Sequence, residues 1–300
     1  MKHITVLQKE ATHELNLTKD SVVVDCTLGA GGHANEMLTK LGKKGVLVGI
    51  DADETAIRSY QAELTPCKAA LHLVHGNFRN IKSILNELEI NSVDAILADL
   101  GWRMEQFDGS SGLPRGFSFK NDEPLSMTFG HPDKYAFTAY DIINDWKEED
   151  IANVIYAYGE ERFSRRIAKA IVTQREDEPI GSSMVLAEIV SKSLPGFAKG
   201  KKKAHPATKT FQALRIAVND EFDALKELLA DGFELLAPQG RMAIISFHSL
   251  EDRIVKETFR TYTRDQLGVL VHKKPLTASL EEQSDNPRAR SAKLRIIEKI

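Results

Sequence analysis

Cysteine is scarce. Only Cys26 and Cys67 carry a thiol in 300 residues, and they form no C-x-x-C pair. A disulfide framework and a zinc ribbon are therefore excluded, and a reducing, cytosolic compartment is the expectation. Long apolar runs are also lacking: none nears the ~18 residues that span a bilayer, so no membrane association is expected. Residues 1–7 hold no apolar stretch of the secretory kind, so no signal peptide is expected. Net positive charge is missing too, because 40 Lys and Arg stand against 43 Asp and Glu, giving −3. Any nucleic-acid contact must then come from local basic patches rather than a uniformly basic surface. Metal ligands do not cluster. His72 and His75 look like a pair by count, but on a strand they point to opposite faces, so no metal is expected.

What is present reads as a globular chain. Hydrophobic residues make up 42% and charged residues 28%, which excludes wholesale disorder. The length suits roughly two domains. Residues 21–25 are a β-branched run ending at Asp25, followed by Gly29-Ala30-Gly31-Gly32-His33 and a helical stretch over 34–40. Further strand-like runs end at Asp51, near Val74 and at Asp99. Strands alternating with helical spacers predict βαβ units and a parallel sheet. The pattern breaks at 101–135, which reads as a long loop, and 138–195 reads as a mostly helical insertion. The 3–4-residue spacing of Phe211, Leu214, Val218, Phe222, Leu225 and Leu229 predicts one long helix over about 210–236. A fifth strand is predicted at 241–247, then a helix whose capping box pairs Ser249 with Asp252. Two last strands are predicted at 269–273 and 292–297.

The first glycine turn is the candidate ligand site. Glycine lets a ligand approach the backbone, and the following helix offers free N–H groups. Asp51 lies twenty residues after Gly31, where an acid accepts hydrogen bonds from ribose hydroxyls. Gly29-x-Gly31-x-x-Ala34 also fits the relaxed dinucleotide fingerprint, so a nicotinamide cofactor and S-adenosylmethionine compete for this turn. Asp25 favours the second, because an acid there suits a cationic methionine moiety and repels a pyrophosphate. Phe78, after the third strand, offers a ring to an adenine, although an ordinary core phenylalanine fits that position equally.

These residues also carry a resemblance. Asp25-x-Thr27-Leu28-Gly29-x-Gly31-Gly32-His33 resembles the first motif of the bacterial 16S ribosomal RNA cytosine N4-methyltransferases (the MraW or RsmH family). The likeness continues through Arg115-Gly116-Phe117-Ser118-Phe119 and Tyr158-Gly159-Glu160-Glu161-Arg162-Phe163. It is densest over His205-Pro206-Ala207-Thr208-Lys209-Thr210-Phe211-Gln212-Ala213-Leu214-Arg215-Ile216. It ends with Ile245-Ser246-Phe247-His248-Ser249-Leu250-Glu251-Asp252-Arg253 and the segment from Asn286 to Arg295. The resemblance implies an α/β, class I (Rossmann-like) methyltransferase sheet over 1–112 and 206–300, interrupted by a helical substrate-recognition domain over 113–205. It implies S-adenosyl-L-methionine as cofactor and one decoding-centre cytidine of 16S rRNA, in the small ribosomal subunit, as substrate. Carried over by position, the cofactor residues are Gly31, Gly32, His33, Asp51, Phe78, Asp99 and Gln106. Two segments depart from the pattern. Trp102-Arg103-Met104-Glu105 replaces a stretch with two serines, and Ser126 and Thr128 stand where the family usually has Asp and Arg. Both segments are expected near the reacting amine.

Cytosine N4 is a poor nucleophile, because its lone pair is delocalised into the ring. The protein must hold N4 in line behind the methyl carbon and accept an N4–H hydrogen bond. Asp99, or the Leu100 and Gly101 carbonyls beside it, is the candidate acceptor. Trp102 is a candidate stacking surface for an unstacked base, or simply a loop residue packed on the insertion. Gln212, Arg215 and Asn219 share one helix face. That face is either solvated or a polar wall of the cleft, and the resemblance favours the wall. His248 and Ser249 sit where the fifth strand ends, as a helix start or a substrate contact. Lys199, Lys201, Lys202, Lys203 and Lys209 are the favoured phosphate contact. Arginine-rich clusters at 162–175 and 288–295 are secondary ones. A nicotinamide-dependent oxidoreductase and a non-catalytic RNA-binding relative are the alternatives. A monomer and a homodimer are both compatible with the sequence.

Overall fold

The computed structural model describes residues 5–101, 114–119, 121–196 and 205–300. The chain divides into two compact units, Met1–Gly101 with Phe222–Ile300, and Trp102–Glu221. The expected insertion, 113–205, is shorter than the second unit. It differs at both ends, and at the later end the addition is the helix that begins at Thr208, which packs on the helical unit.

The first unit is built on a seven-stranded sheet ordered β3-β2-β1-β4-β5-β7-β6. Its strands are β1 Val22–Asp25, β2 Val46–Asp51, β3 Ala70–His75, β4 Val93–Asp99, β5 Leu236–Ser246, β6 Gly268–Leu270 and β7 Lys293–Lys299. The first five are parallel, and β7 enters antiparallel to both β5 and β6. The helices of this unit are α1 Gln8–Glu14, α2 Gly32–Lys40, α3 Glu54–Glu63, α4 Ile81–Glu87 and, later in the chain, α10 Glu221–Leu235, α11 Ser249–Arg264 and α12 Leu280–Asp285. Because strand side chains alternate, each strand feeds two cores. Val23, Leu47, Leu97 and Ile245 bury one face together with Met37 and Tyr60. Val24, Val48, Ile96 and Ile244 bury the other with Leu85, Leu228, Leu229 and Phe259. Covering both faces explains why the strand runs are almost wholly apolar. The order β2-β1-β4 puts β1 at the point where successive connections turn to opposite sides, so ligands are expected at its carboxyl end.

The second unit contains α5 Ala139–Asp145, α6 Glu148–Gly159, α7 Ser164–Asp177, α8 Ser183–Ser193 and α9 Thr208–Asn219 around its own core. The long helix predicted over 210–236 is two helices, α9 and α10 Glu221–Leu235. Asp220 between them is left-handed, at φ 48° and ψ 44°, and breaks the hydrogen-bond ladder. Aspartate tolerates that conformation better than most residues. Apolar spacing alone does not register such a break.

A buried polar scaffold holds the segment before α5. The Glu123 carboxylate accepts the Arg115 and Gly116 N–H groups at 3.1 and 2.9 Å. The Arg115 guanidinium donates to the Thr128 and Phe129 carbonyls. Asn219 closes the arrangement, donating to the Met127 and Arg215 carbonyls and accepting the Phe129 N–H, each at 2.8 Å. Met127 is fully buried at φ 53°, a left-handed position that costs a non-glycine residue energy. Asn219 fixes the carbonyl that this conformation directs toward it. Asn219→Ala should lower unfolding stability by about 2–4 kcal/mol, since it leaves buried partners unsatisfied. Asn219→Asp, which keeps the acceptor but turns a carboxylate oxygen on the Met127 and Arg215 carbonyls, should lose at least as much. Urea unfolding followed by tryptophan fluorescence measures this, and an unchanged midpoint would show that water replaces these bonds.

Candidate active site

Three carboxylates end three neighbouring strands. Asp25 ends β1, Asp51 ends β2 and Asp99 ends β4. Asp25 is completely buried. Its Oδ1 accepts the Thr27 N–H at 3.1 Å, while Oδ2 is buried with no hydrogen-bond partner. Burial pushes the Asp25 carboxyl up to about 6; His33 and the Thr27 N–H oppose the rise, and Asp99 and Asp51 add to it. Thr27 also ties two strand ends together, because its Oγ1 accepts the Asp99 N–H at 2.7 Å. Beside Asp25, the buried Cys26 thiol is raised well above its ordinary pKa by burial and by the Asp25 charge.

The glycine turn is cut to fit its neighbours. Gly31 is left-handed at φ 76°, and a Cβ there would lie 1.9 Å from the Tyr60 ring. A Cβ on Gly32 would meet Thr5 Oγ1 at 1.7 Å. The Gly29 N–H donates to Asp51 Oδ2 at 2.8 Å, and the Asp53 N–H to Asp51 Oδ1 at 2.8 Å. Asp51 thus orders the glycine turn, and a carboxylate bound in this way keeps lone pairs for further donors. His33 lies buried in the first turn of α2, with neither ring nitrogen hydrogen-bonded. Its Nε2 is 3.8 Å from Asp99 Oδ2, and Asp99 Oδ1 is also buried without a hydrogen-bond partner. Phe78 opens a short 3-10 turn after β3 and is half-buried, with part of its surface on the sheet core.

Leu100 is buried, and its N–H donates to the Ile245 carbonyl at 3.0 Å. Gly101 is exposed at φ 104°. Asp25, Gly29, Gly31, Gly32, His33, Asp51, Asp99, Leu100 and Gly101 all belong to the carboxyl edge of β1, β2 and β4 or to the turns leaving it. Trp102, Gln106, Lys201, Lys202 and Lys203 lie outside the described residues, as do Arg103, Met104, Glu105 and Lys199.

At the end of β5 the capping box differs from the one predicted. His248, not Ser249, caps α11 Ser249–Arg264, and its partner is Glu251, not Asp252. His248 Nδ1 accepts the Glu251 N–H, and Glu251 Oε2 accepts the Phe247 and His248 N–H groups. Ser249 is the first helical residue. Asp252 is occupied otherwise: it binds Lys293 at 2.8 Å and Arg295 at 2.7 Å. Burial works to raise its carboxyl, but the bonds from Arg295 and Lys293 outweigh that and hold it below the ordinary value.

Within the helical unit, the polar face of α9 is internally committed. Gln212 Nε2 donates to the Tyr158 carbonyl at 3.1 Å, and Arg215 makes a two-pronged pair with Glu221 at 2.7 and 2.9 Å. With Asn219 already engaged, the three residues brace their own unit. Lys209 Nζ donates to the Glu160 carbonyl at the end of α6. Ser126 and Thr128 sit in the polar scaffold before α5, where Thr128 is fully buried and donates to the Gly130 carbonyl.

Sequence reasoning missed three supporting residues. Asp53 is buried and caps α3 through the Thr55 N–H, a pattern readable as Asp-x-Thr. Tyr60, which fills the space above Gly31 and donates to Asn35 Oδ1, carries no local signal, and Thr27, which joins two strand ends, stands in the first motif without a sign of that role.

A mixed seven-stranded sheet, parallel through its first five strands, with an acid-lined glycine turn at its switch point defines a Rossmann-like methyltransferase fold. A solved structure of a putative rRNA-methylase from Clostridium thermocellum shares that fold at TM-score 0.50 and 12% identity, over 99% of this chain and all of that one. The MraW methylase family model matches residues 1–300. The ribosomal RNA small subunit methyltransferase H of Brevibacillus brevis is 43% identical over 313 residues, covering 99% of this chain and 98% of the relative. The protein of the same name from Clostridium botulinum (strain 657 / Type Ba4) is 44% identical, covering all of this chain and 99% of that one. The chain belongs to the MraW methylase family.

Asp25 makes stability depend on pH with a definite sign. Its carboxyl sits higher in the folded chain than the ordinary 3.8, so the folded state binds the extra proton and stability falls as pH rises from about 4 to about 6. The full loss is about 3 kcal/mol. Asp25→Asn keeps the acceptor for Thr27 and removes the charge. It should melt above the unliganded wild type at neutral pH, with the gap closing near pH 4. Parallel melting curves across the range would reject the buried charge as its cause.

Proposed function

We propose that this protein methylates the exocyclic N4 amine of a decoding-centre cytidine of 16S rRNA, within the small ribosomal subunit, using S-adenosyl-L-methionine. The observation that carries the reading is the set of three acids at adjacent strand ends, one of them with a buried oxygen left unpartnered. Such a site opposes the diphosphate of a nicotinamide cofactor and suits a ligand bearing ammonium and sulfonium charges. The residues fit that group: Asp25 and His33 present unsatisfied polar atoms beside the glycine turn, Asp51 sets its carboxylate at the end of β2 against that turn, where ribose hydroxyls would lie, and Phe78 offers a partly exposed ring. The names of the curated relatives support a small-subunit rRNA substrate.

When bound, S-adenosylmethionine supplies a methyl already activated on sulfur. The chain must orient the amine and manage its proton. Asp99, at the lip of β4 with Oδ1 free of protein donors, accepts an N4–H hydrogen bond, which turns the nitrogen lone pair toward the methyl. Asp99 would take the N4 proton as the amine accepts the methyl that the cofactor supplies, and would pass that proton to water, leaving a neutral methylated amine. No covalent enzyme intermediate is needed, and the buried Cys26 thiol is unsuited to form one. The Leu100 N–H bond to Ile245 fixes the backbone beside Asp99, so the acceptor is preorganised. Unstacking the base costs a few kcal/mol, which Trp102 offsets by stacking. Gln106 joins the cofactor residues on the strength of the sequence motif. Lys201, Lys202, Lys203 and Lys209 contact phosphates, His248 and Ser249 border the substrate, and Gln212, Arg215 and Asn219 act as positioning residues through the bracing described above. The substrate places the enzyme in the cytoplasm.

Incubation with radiolabelled S-adenosylmethionine and small subunits lacking the modification should give N4-methylcytidine at one decoding-centre site, identified by nucleoside mass spectrometry. A different methylated base, or no transfer, would overturn the N4 assignment. Asp99→Ala should lower kcat by about a hundredfold or more, with partial recovery in Asp99→Asn, which keeps an acceptor oxygen. Near-full turnover of Asp99→Ala would remove Asp99 from the reaction.

A further inference from the structure

Besides the acid-lined turn, the first unit holds a concave pocket of opposite character. It measures about 210 Å³ and lies between α11 and the segment after β6. Lys256 and Arg260 come from one face of α11, four residues apart, and Lys273 and Lys274 from the segment after β6. Arg295 of β7 closes one side and the buried Phe259 ring forms the floor. Arg295 is held by Asp252. The other four cations make no ion pair or hydrogen bond with any described residue. Like charges so gathered repel one another, and a chain of net charge −3 has carboxylates enough to pair them. The nearest acid along this helix face, Asp252 one turn before Lys256, is engaged by Lys293 and Arg295, and no carboxylate lines the pocket itself, which suits a polyanion.

The topology places this pocket usefully. β6 runs in the same direction as β5, because both are antiparallel to β7. The segment bearing Lys273 and Lys274 therefore leaves the sheet at the carboxyl edge, the edge that carries Asp25, Asp51 and Asp99. β7 is two positions from β4 in the sheet, so Arg295 and Asp99 stand on strands roughly 10 Å apart. One edge thus carries an anionic site for a cationic cofactor and, further along, a cationic site.

We infer that the pocket formed by Lys256, Arg260, Lys273 and Lys274 is a binding site for the phosphodiester backbone of the RNA substrate, flanking the nucleotide that is methylated. The inference rests on RNA being the substrate. It assigns the backbone contact of the sheet unit to residues from two separated stretches of chain. It also leaves Lys293 and Arg295 largely to the Asp252 network. Contacts of this kind give affinity and register without reading sequence.

The test is binding of the full-length protein to small subunits and to a 16S rRNA fragment across a series of salt concentrations. Lys256→Gln, Arg260→Gln, Lys273→Gln and Lys274→Gln are combined in one variant. Its affinity should fall by about tenfold or more, and the slope of log affinity against log salt should shrink by about 3, at ~0.7 per phosphate on single strands. S-Adenosylmethionine affinity and the melting temperature should stay as in the wild type. A variant with Lys256→Arg, Lys273→Arg and Lys274→Arg should bind as the wild type does. Equal affinity and slope in the glutamine variant would overturn the inference. So would protection of the pocket by inorganic phosphate with no change in RNA affinity, which marks a small-anion site. Methyl transfer by the wild type is scored separately. Salt-dependent binding through these four residues without N4 methylation sinks the proposed reaction and leaves the pocket standing. Methylation with unaltered binding in the glutamine variant sinks the pocket alone.

Discussion

Crowding three carboxylates at the ends of β1, β2 and β4 is the constraint around which the sheet unit is organised. Ionising Asp25 in a fully buried place is costly, and neighbouring acids raise that cost. Of the three carboxylates, that of Asp51 also does structural work, and the backbone of Asp99 adds a tie between strand ends. Asp51 collects the Gly29 and Asp53 N–H groups, which shapes the glycine turn and starts α3. Asp99 is tied through its own N–H to Thr27, which keeps β1 and β4 in register at their ends. Asp25 Oδ2, Asp99 Oδ1 and both ring nitrogens of His33 remain buried without hydrogen-bond partners, a cost the protein's own side chains leave uncompensated.

Much of this was legible in the sequence. Each apolar run that ended in an acid became a strand ending at that acid, because a parallel sheet covered on both faces needs continuous apolar residues and releases polar ones only at its edge. The glycines after Asp25 formed the expected tight turn. The reasons were hidden, however, since the ring of Tyr60 above Gly31 comes from a helix thirty residues away.

Other features were not legible for physical reasons. The break at Asp220 is a single left-handed residue inside an unbroken apolar stripe, and periodicity is blind to backbone sign. The cap of α11 belongs to His248, whose ring nitrogen takes the role usually read from a serine one residue on. Gln212, Arg215 and Asn219 were readable as one face, but not as a face bonded to its own unit. The basic cluster at 288–295 looked free in sequence, yet Asp252 claims Lys293 and Arg295. Charge in a linear stretch does not say which charges are already paired. Only the three-dimensional arrangement separates those from the four that converge on the pocket.

The two thiols end up in opposite circumstances, and that gives the protein a practical property. Cys26 is buried in the sheet with its proton held tightly, whereas Cys67 is exposed in the segment between α3 and β3. A maleimide reagent added to the folded protein meets a single accessible sulfur. One fluorophore per molecule can therefore be attached to the natural sequence, with no cysteine removed or introduced. Uptake of a second equivalent then reports opening of the sheet itself.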